Sequence, residues 1–326
     1  MFTLDKATIA HRLLALAEGA LGRPFAVRDW ILRATSTNGL EWVVDPAFRH
    51  NPAARYGETM SYYASRSPDG RLWLCSSVRR AVSGEWHTVL TSGRRSVWID
   101  CNSYGQMMAP VWVGTRHYCV LLRPGEPAAP CCFDASDVSP GRWTAMPLSF
   151  SPAVGQSVQD FHVVRTDGDW VGWLALRADG RRTSIQQWRS RDGLEWRLEL
   201  ADILAGGAGS SYLVANNPWA VAPVAPGEPW RLYFRVGEEE AVGNRIVSAT
   251  SSDLATWIME PGVRIAPHGR WAAHGVGFPH VERFSGRWVM HFSGFWGASA
   301  RGEAAADSWR AANRRCLGPA IGTSHG

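Results

Sequence analysis

One short pattern recurs along this chain and constrains its fold more than any other feature. A polar turn closing on tryptophan appears as STNGLEW ending at Trp42, SRDGLEW ending at Trp196 and SSDLATW ending at Trp257. Looser forms, VSGEW and DVSPGRW, end at Trp86 and Trp143. Successive endings lie 44, 57, 53 and 61 residues apart, a period that suits one four-stranded β-propeller blade per interval. Within each interval a short apolar segment is followed by a turn and an aromatic strand. The first segments read ETMSYYAS from Glu58, QMMAPVWV from Gln106, VQDFHVVR from Val158, ANNPWAVA from Ala215 and GVGFPHVE from Gly275. Their partners, such as RLWLCSSV, DWVGWLALR and WRLYFRV, are rich in the aromatic and β-branched residues that suit half-buried strands. Pro110, Pro218 and Pro279 occupy like positions and are expected at strand starts, where a missing N–H breaks no ladder.

The chain opens with half a unit, FAVRDWILRATSTNGLEW, and ends with the other half, GVGFPHVERFSGRWVMHFSGF. Joining the two completes a fifth unit and removes unpaired sheet edges, which invite aggregation. The expected fold is therefore all-β, a five-bladed β-propeller over residues 24–297 closed by its N-terminal strands. Residues 4–21 carry Ile9, Leu13, Leu14, Ala17 and Leu21 near helical spacing, so residues 1–23 are expected as a helical extension packed on the propeller. Residues 298–326 form an Ala- and Arg-rich tail.

Composition narrows the class. Hydrophobic residues make up 45% and charged residues 19% of the 326, enough for a core and unlike disordered chains. The formal charge is +5 with arginines scattered along the chain, which does not make nucleic acid the expected partner. No apolar stretch reaches the roughly 20 residues needed to cross a bilayer, and no secretion signal opens the sequence, so the expected address is the cytoplasm. Cys75, Cys101, Cys119, Cys131, Cys132 and Cys316 follow no zinc-ligand spacing and are read as free thiols. No H-x-H or HExxH spacing points to a metal. No phosphate loop or catalytic serine motif stands out, and no cofactor is expected. The sequence sets no oligomeric state.

The S-x-D-G-x-x-W and S-x-D-L-x-x-W turns, with x-P-x-V inner strands at five-fold periodicity, resemble the five-bladed glycosidases of families 43 and 32 and their relatives. That resemblance implies three acidic residues on inner strands: an Asp base in the first blade, an Asp in the third that tunes the acid and orients sugar, and a Glu acid in the fourth. Asp160 in QDFHVV falls on the third-blade Asp. The first-blade Asp-Pro is absent, and Glu58 is the nearest inner-strand carboxylate. The fourth-blade Glu coincides with Asn216 or Asn217, amides that cannot act as general acids. His162 and His280 sit one residue past equivalent inner-strand positions in the third and fifth units and His274 lies close by; His162 could supply the proton transfer that the missing Glu does not.

Two chemistries remain open at this point, with a silent binder as the third reading. In the first, a carbohydrate-active enzyme, Glu58 and Asp160 frame an anomeric carbon while Gln159, Asn216 and Asn217 hold hydroxyls. Trp219 stacks on a sugar face, with His274 and His280 beside the substrate, and Glu238, Glu239 or Glu240 are loop candidates for the acid. In the second, a biosynthetic cyclase, lyase or isomerase reuses the propeller for a small metabolite, since fold does not dictate function. Differences between the inner strands favour one asymmetric central site for a small-molecule or glycoside substrate.

Overall fold

The computed structural model describes residues 28–50, 58–79, 86–93, 95–99, 106–122, 128–135, 143–150, 156–177, 183–204, 214–237, 243–269, 271–273, 275–284 and 286–296. The expected N-terminal helix and the C-terminal tail lie outside these residues. All regular structure within them is β-strand.

The strands fall into antiparallel sets of four. After β1 (Arg28–Ser36) and β2 (Val43–His50) come β3 (Glu58–Arg66), β4 (Leu72–Arg79), β5 (Trp86–Ser92) and β6 (Arg95–Ile99). The next set is β7 (Gln106–Val113), β8 (Arg116–Leu122), β9 (Ala129–Asp134) and β10 (Thr144–Met146). Then follow β11 (Ser157–Arg165), β12 (Trp170–Arg177), β13 (Thr183–Ser190) and β14 (Arg197–Leu200). Another set is β15 (Val214–Val221), β16 (Trp230–Gly237), β17 (Arg245–Ser251) and β18 (Ile258–Met259). The remaining pair, β19 (Gly275–Phe284) and β20 (Arg287–Trp296), is completed by β1 and β2 from the other end of the chain. β1 runs along the whole of β20, from Arg28 opposite Trp296 to Ser36 opposite Trp288. First strands of the sets pack in a closed cycle: β3 on β7, β7 on β11, β11 on β15, β15 on β19, and β19 back on β3.

Apolar burial lies between sets rather than inside one of them. Trp73 and Leu90 meet Trp112 and Phe133 between the β3 and β7 sets, and Tyr118 meets Phe161 and Trp196 at the next interface. Trp173 packs with Leu232 and Phe234, and Tyr233 with Leu32 and Met290. Among the described residues the seam between β1 and β3 is the thinnest, built on Ile31, Ala64 and Leu74.

Every first strand carries a register shift near its middle, between Met60 and Tyr62, Met108 and Val111, Val158 and Asp160, Asn216 and Trp219, and Gly277 and His280. Pro110, Pro218 and Pro279 fall within three of these bulges, not at strand starts as their sequence positions suggest. The physical reason is the same missing N–H: a bulge leaves one residue out of the ladder, and proline fits there in mid-strand.

The repeated turns explain how neighbouring sets are held in register. In Ser190–Trp196 the Asp192 carboxylate accepts from the backbone N–H of Leu194 and Glu195 at 2.8 and 3.0 Å, while Ser190 Oγ accepts from Gly193 N at 2.8 Å. Asn38 and Asp253 do the same in their turns. Each turn also reaches the set before it. Tyr118 Oη donates to Gly193 O at 3.0 Å, and Tyr233 Oη donates to Gly39 O at 2.8 Å. At the third turn Gln187 takes over, donating to Leu254 O at 2.6 Å and accepting from Trp257 Nε1 at 2.9 Å.

Candidate functional site

Asp160 follows the bulge of β11 and is only 2% exposed. Its Oδ1 accepts from Tyr63 Oη at 2.8 Å, and its Oδ2 from Asn217 Nδ2 at 2.6 Å and Asn217 N at 3.2 Å. Tyr63 belongs to β3, which does not adjoin β11 in the cycle of first strands; β7 separates them on one side, and β15 and β19 on the other. The Tyr63–Asp160 bond therefore crosses the space that these strands enclose. Asp160 sits at the centre of the molecule.

Around this carboxylate the chain builds a polar and aromatic shell. Arg235, on β16 opposite Asn216, is buried and donates from Nε to Asn216 Oδ1 at 2.6 Å. Its guanidinium carbon lies 5.7 Å from the Phe278 ring centre and 5.9 Å from that of Phe295, where the ring faces favour a cation. Phe278 packs on Tyr63 with ring centres 4.6 Å apart, and its backbone N–H reaches Asn217 Oδ1 at 3.4 Å. Asn217 and Phe278 both have positive φ, 52° and 51°. Asparagine tolerates that region, whereas for phenylalanine it costs energy that the surrounding packing must hold. Gly277 has no side chain to spare: a Cβ there would lie 2.8 Å from Arg235 Cδ.

Burial pushes the Asp160 carboxyl up to about 6, and the Tyr63 hydroxyl, the Arg235 charge and the two Asn217 donors keep it from rising further. The same burial, with the Asp160 charge adding to it, carries the Tyr63 hydroxyl well above its ordinary value. Tyr63 is thus a proton donor to Asp160 at any ordinary pH.

Two residues farther along the first strands the centre is filled by rings. Trp219 lies between His162 and His280, with ring centres 4.2 and 4.4 Å away, and its Nε1 donates to Val281 O at 2.8 Å. Both imidazoles are buried, which lowers His162 to about 3 and His280 well below its ordinary value. They are neutral at pH 7. Beyond them, His280, Glu282 and His291 share one face of the β19–β20 pair, and Arg66 clamps Glu282 through Nε and Nη2 at 2.6 Å each.

Of the residues singled out in the sequence, Asp160, Asn216, Asn217, His162, Trp219 and His280 thus come together about one centre. Gln159 is half-buried and donates locally to Ser157 Oγ and Val158 O, both at 3.2 Å. Glu58 begins β3 opposite Arg79; its side chain, His274 and the Glu238–Glu240 loop lie outside the described residues. Sequence reasoning missed Tyr63, Arg235 and Phe278. A signal existed for Arg235, a lone charge in the otherwise apolar end of WRLYFRV, since a buried cation demands partners. The thiols of Cys119 and Cys132 are free.

No protein-family model matches the sequence, and no curated protein sequence does. Solved structures do match. The family 32 β-fructofuranosidase of Bombyx mori superposes with a TM-score of 0.55 at 10% identity, covering 92% of this chain and 64% of that enzyme. A substituted form of it in complex with sucrose gives 0.54 at 10% identity, with 92% and 65% covered. A thermostable family 43 glycoside hydrolase gives 0.51 at 14% identity, with 73% of this chain and 88% of that one covered. The chain spans just under two thirds of the length of the Bombyx mori enzyme. At such identities the likeness defines the fold: this is a β-propeller of the kind found in family 32 and family 43 glycosidases. No helix among the described residues is long and apolar enough to cross a membrane.

Proposed function

We propose that the chain is a five-bladed propeller enzyme acting on a carbohydrate at the central site around Asp160. The observation that carries this reading is the Tyr63–Asp160–Asn217 arrangement, a fully buried carboxyl near neutrality at the middle of a glycosidase-like fold. Five sets of paired strands and a closed cycle of first strands support the blade number. In this reading Asp160 orients sugar hydroxyls and sets the charge of the site, and Glu58, which begins β3, is the candidate for the second carboxylate. Asn216 and Asn217 are held by Arg235 and Asp160, so neither supplies a proton. The acid then comes from a loop, with Glu238, Glu239 and Glu240 as candidates.

That amide pair also favours a second reading, non-hydrolytic chemistry on a small metabolite. A carboxyl titrating at about 6 exchanges protons readily near neutral pH without a partner acid. One comparison separates the two: release of an aryl leaving group from a panel of pentosides and fructosides by wild type and Asp160→Asn. Turnover that falls at least about a hundredfold in the variant supports the glycosidase. Absence of turnover and of sugar-induced thermal stabilisation in the wild type overturns the carbohydrate reading, and stabilisation by non-sugar metabolites alone selects the second.

A further inference from the structure

The β19–β20 pair carries a second cluster of chemical groups, which shares His280 with the central site and adds Glu282 and His291. His280 and His291 face each other directly across the two strands, and Glu282 lies two residues beyond His280 on the same face. One ligand atom from each of the three lies within 4.8 Å of the others. His280 is 3% and His291 7% exposed, while the Glu282 side chain is 18% exposed. Nδ1 of both histidines is buried without a hydrogen-bond partner. Buried polar atoms are normally satisfied, so two such nitrogens on imidazoles that each bring a ring nitrogen near the same carboxylate call for an explanation.

We infer that His280, Glu282 and His291 bind one divalent metal ion of the zinc class. Two imidazole nitrogens and a carboxylate oxygen are a donor set that such ions take at about 2 Å, so side-chain rotation would have to bring the three groups in from their separation of up to 4.8 Å to meet one ion. Calcium and magnesium prefer oxygen-only cages, and copper(I) prefers sulfur, so neither matches this set. Arg66 occupies one lone pair on each Glu282 oxygen and leaves another on each. It acts as the outer partner that fixes a ligating carboxylate in place.

The location gives the ion a structural consequence. Arg66 belongs to β3 and Glu282 to β19, so the Arg66–Glu282 pair already ties the closing set to the first complete one. This is the seam with the smallest apolar cluster among the described residues. An ion ordering Glu282 orders that tie as well, and binding to the folded state alone raises the unfolding temperature by mass action.

The test is a titration of the metal-stripped full chain. Cobalt(II), a spectroscopic stand-in for zinc, is followed by its visible absorption, and zinc by equilibrium dialysis and thermal unfolding. The expected result is one tight equivalent per chain and a higher unfolding temperature with zinc than with calcium. Glu282→Gln, at a partly exposed position, and His291→Gln should each weaken binding at least about tenfold and abolish the thermal shift. Wild type that binds no stoichiometric ion overturns the proposal, as do both folded variants binding like wild type or calcium giving the same shift.

Discussion

At the scale of single residues, the balance at Asp160 is between burial and donation. Taking the carboxyl out of water raises its pKa to about 6, and three hydrogen bonds with a nearby guanidinium oppose that rise. Removing one donor shifts the balance in a known direction. Tyr63→Phe keeps the ring contact with Phe278 but deletes the 2.8 Å bond. The Asp160 pKa should then rise above about 6, and stability at pH 7 should fall by about 1–3 kcal/mol, because an acceptor is left unsatisfied. Carbon-detected NMR titration of the Asp160 carboxyl checks the first, chemical denaturation the second. An unchanged titration would mean that the tyrosine hydroxyl does not hold the carboxylate. Asp160, Asn216 and Asn217 were legible in the sequence because a repeat places them on like strands. Tyr63 was not, because its role depends on a strand across the ring rather than beside it. Its neighbour Phe278 has φ of 51°, and nothing in the residue type announces that.

At the scale of elements, the Ser-x-Asp-Gly turns do two jobs that the sequence pattern shows only in part. Their internal bonds follow from the motif, since Asp and Ser side chains cap local backbone donors. Their external bonds do not, because Tyr118 and Tyr233 lie in preceding sets and bear no fixed spacing to the turns they hold. Gly193 joins both jobs. It has φ of 77°, and an added Cβ would fall 2.5 Å from Tyr118 Oη. Gly193→Ala should therefore cost about 1–3 kcal/mol, through left-handed backbone strain and a displaced tyrosine, with the unfolding temperature down several degrees. Gly168 offers the control, with φ outside the left-handed region and open space around it. Equal effects at the two positions would show that the clamp contributes nothing. The bulges make the same point about legibility. Three prolines lie in them where the sequence suggested strand starts; a proline signal fits a strand start and a bulge equally well, and only the pairing decides.

Across the whole molecule, the repeat made the paired sets and their closure legible, since half a unit at each end leaves one way to finish the last sheet; β1 on β20 does so. The price of folding around aromatic interfaces is a set of buried imidazoles. His117 is wedged between Trp112 and Trp143, at 4.3 and 4.6 Å, with neither ring nitrogen bonded. Burial lowers it and His162 to about 3 and His291 to about 4, and lowers His280 as well. A depressed histidine stabilises the fold above its unfolded value of 6.5 and loses that contribution as pH falls toward the folded value. Asp160 works in the opposite sense: its raised carboxyl favours the fold most below 3.8, and that contribution is lost as pH rises through about 6. Between pH 7 and pH 5 His117, His162 and His291 should each cost about 2 kcal/mol while Asp160 returns about 1, and His280 adds in the same direction, so the histidines dominate. The unfolding temperature should fall steadily over that range. His117→Phe removes one of the four contributions and no hydrogen bond, so it should keep or raise stability at pH 7 and flatten the decline. An undiminished slope in that variant would place the acid sensitivity elsewhere, in the carboxylate pairs of the surface.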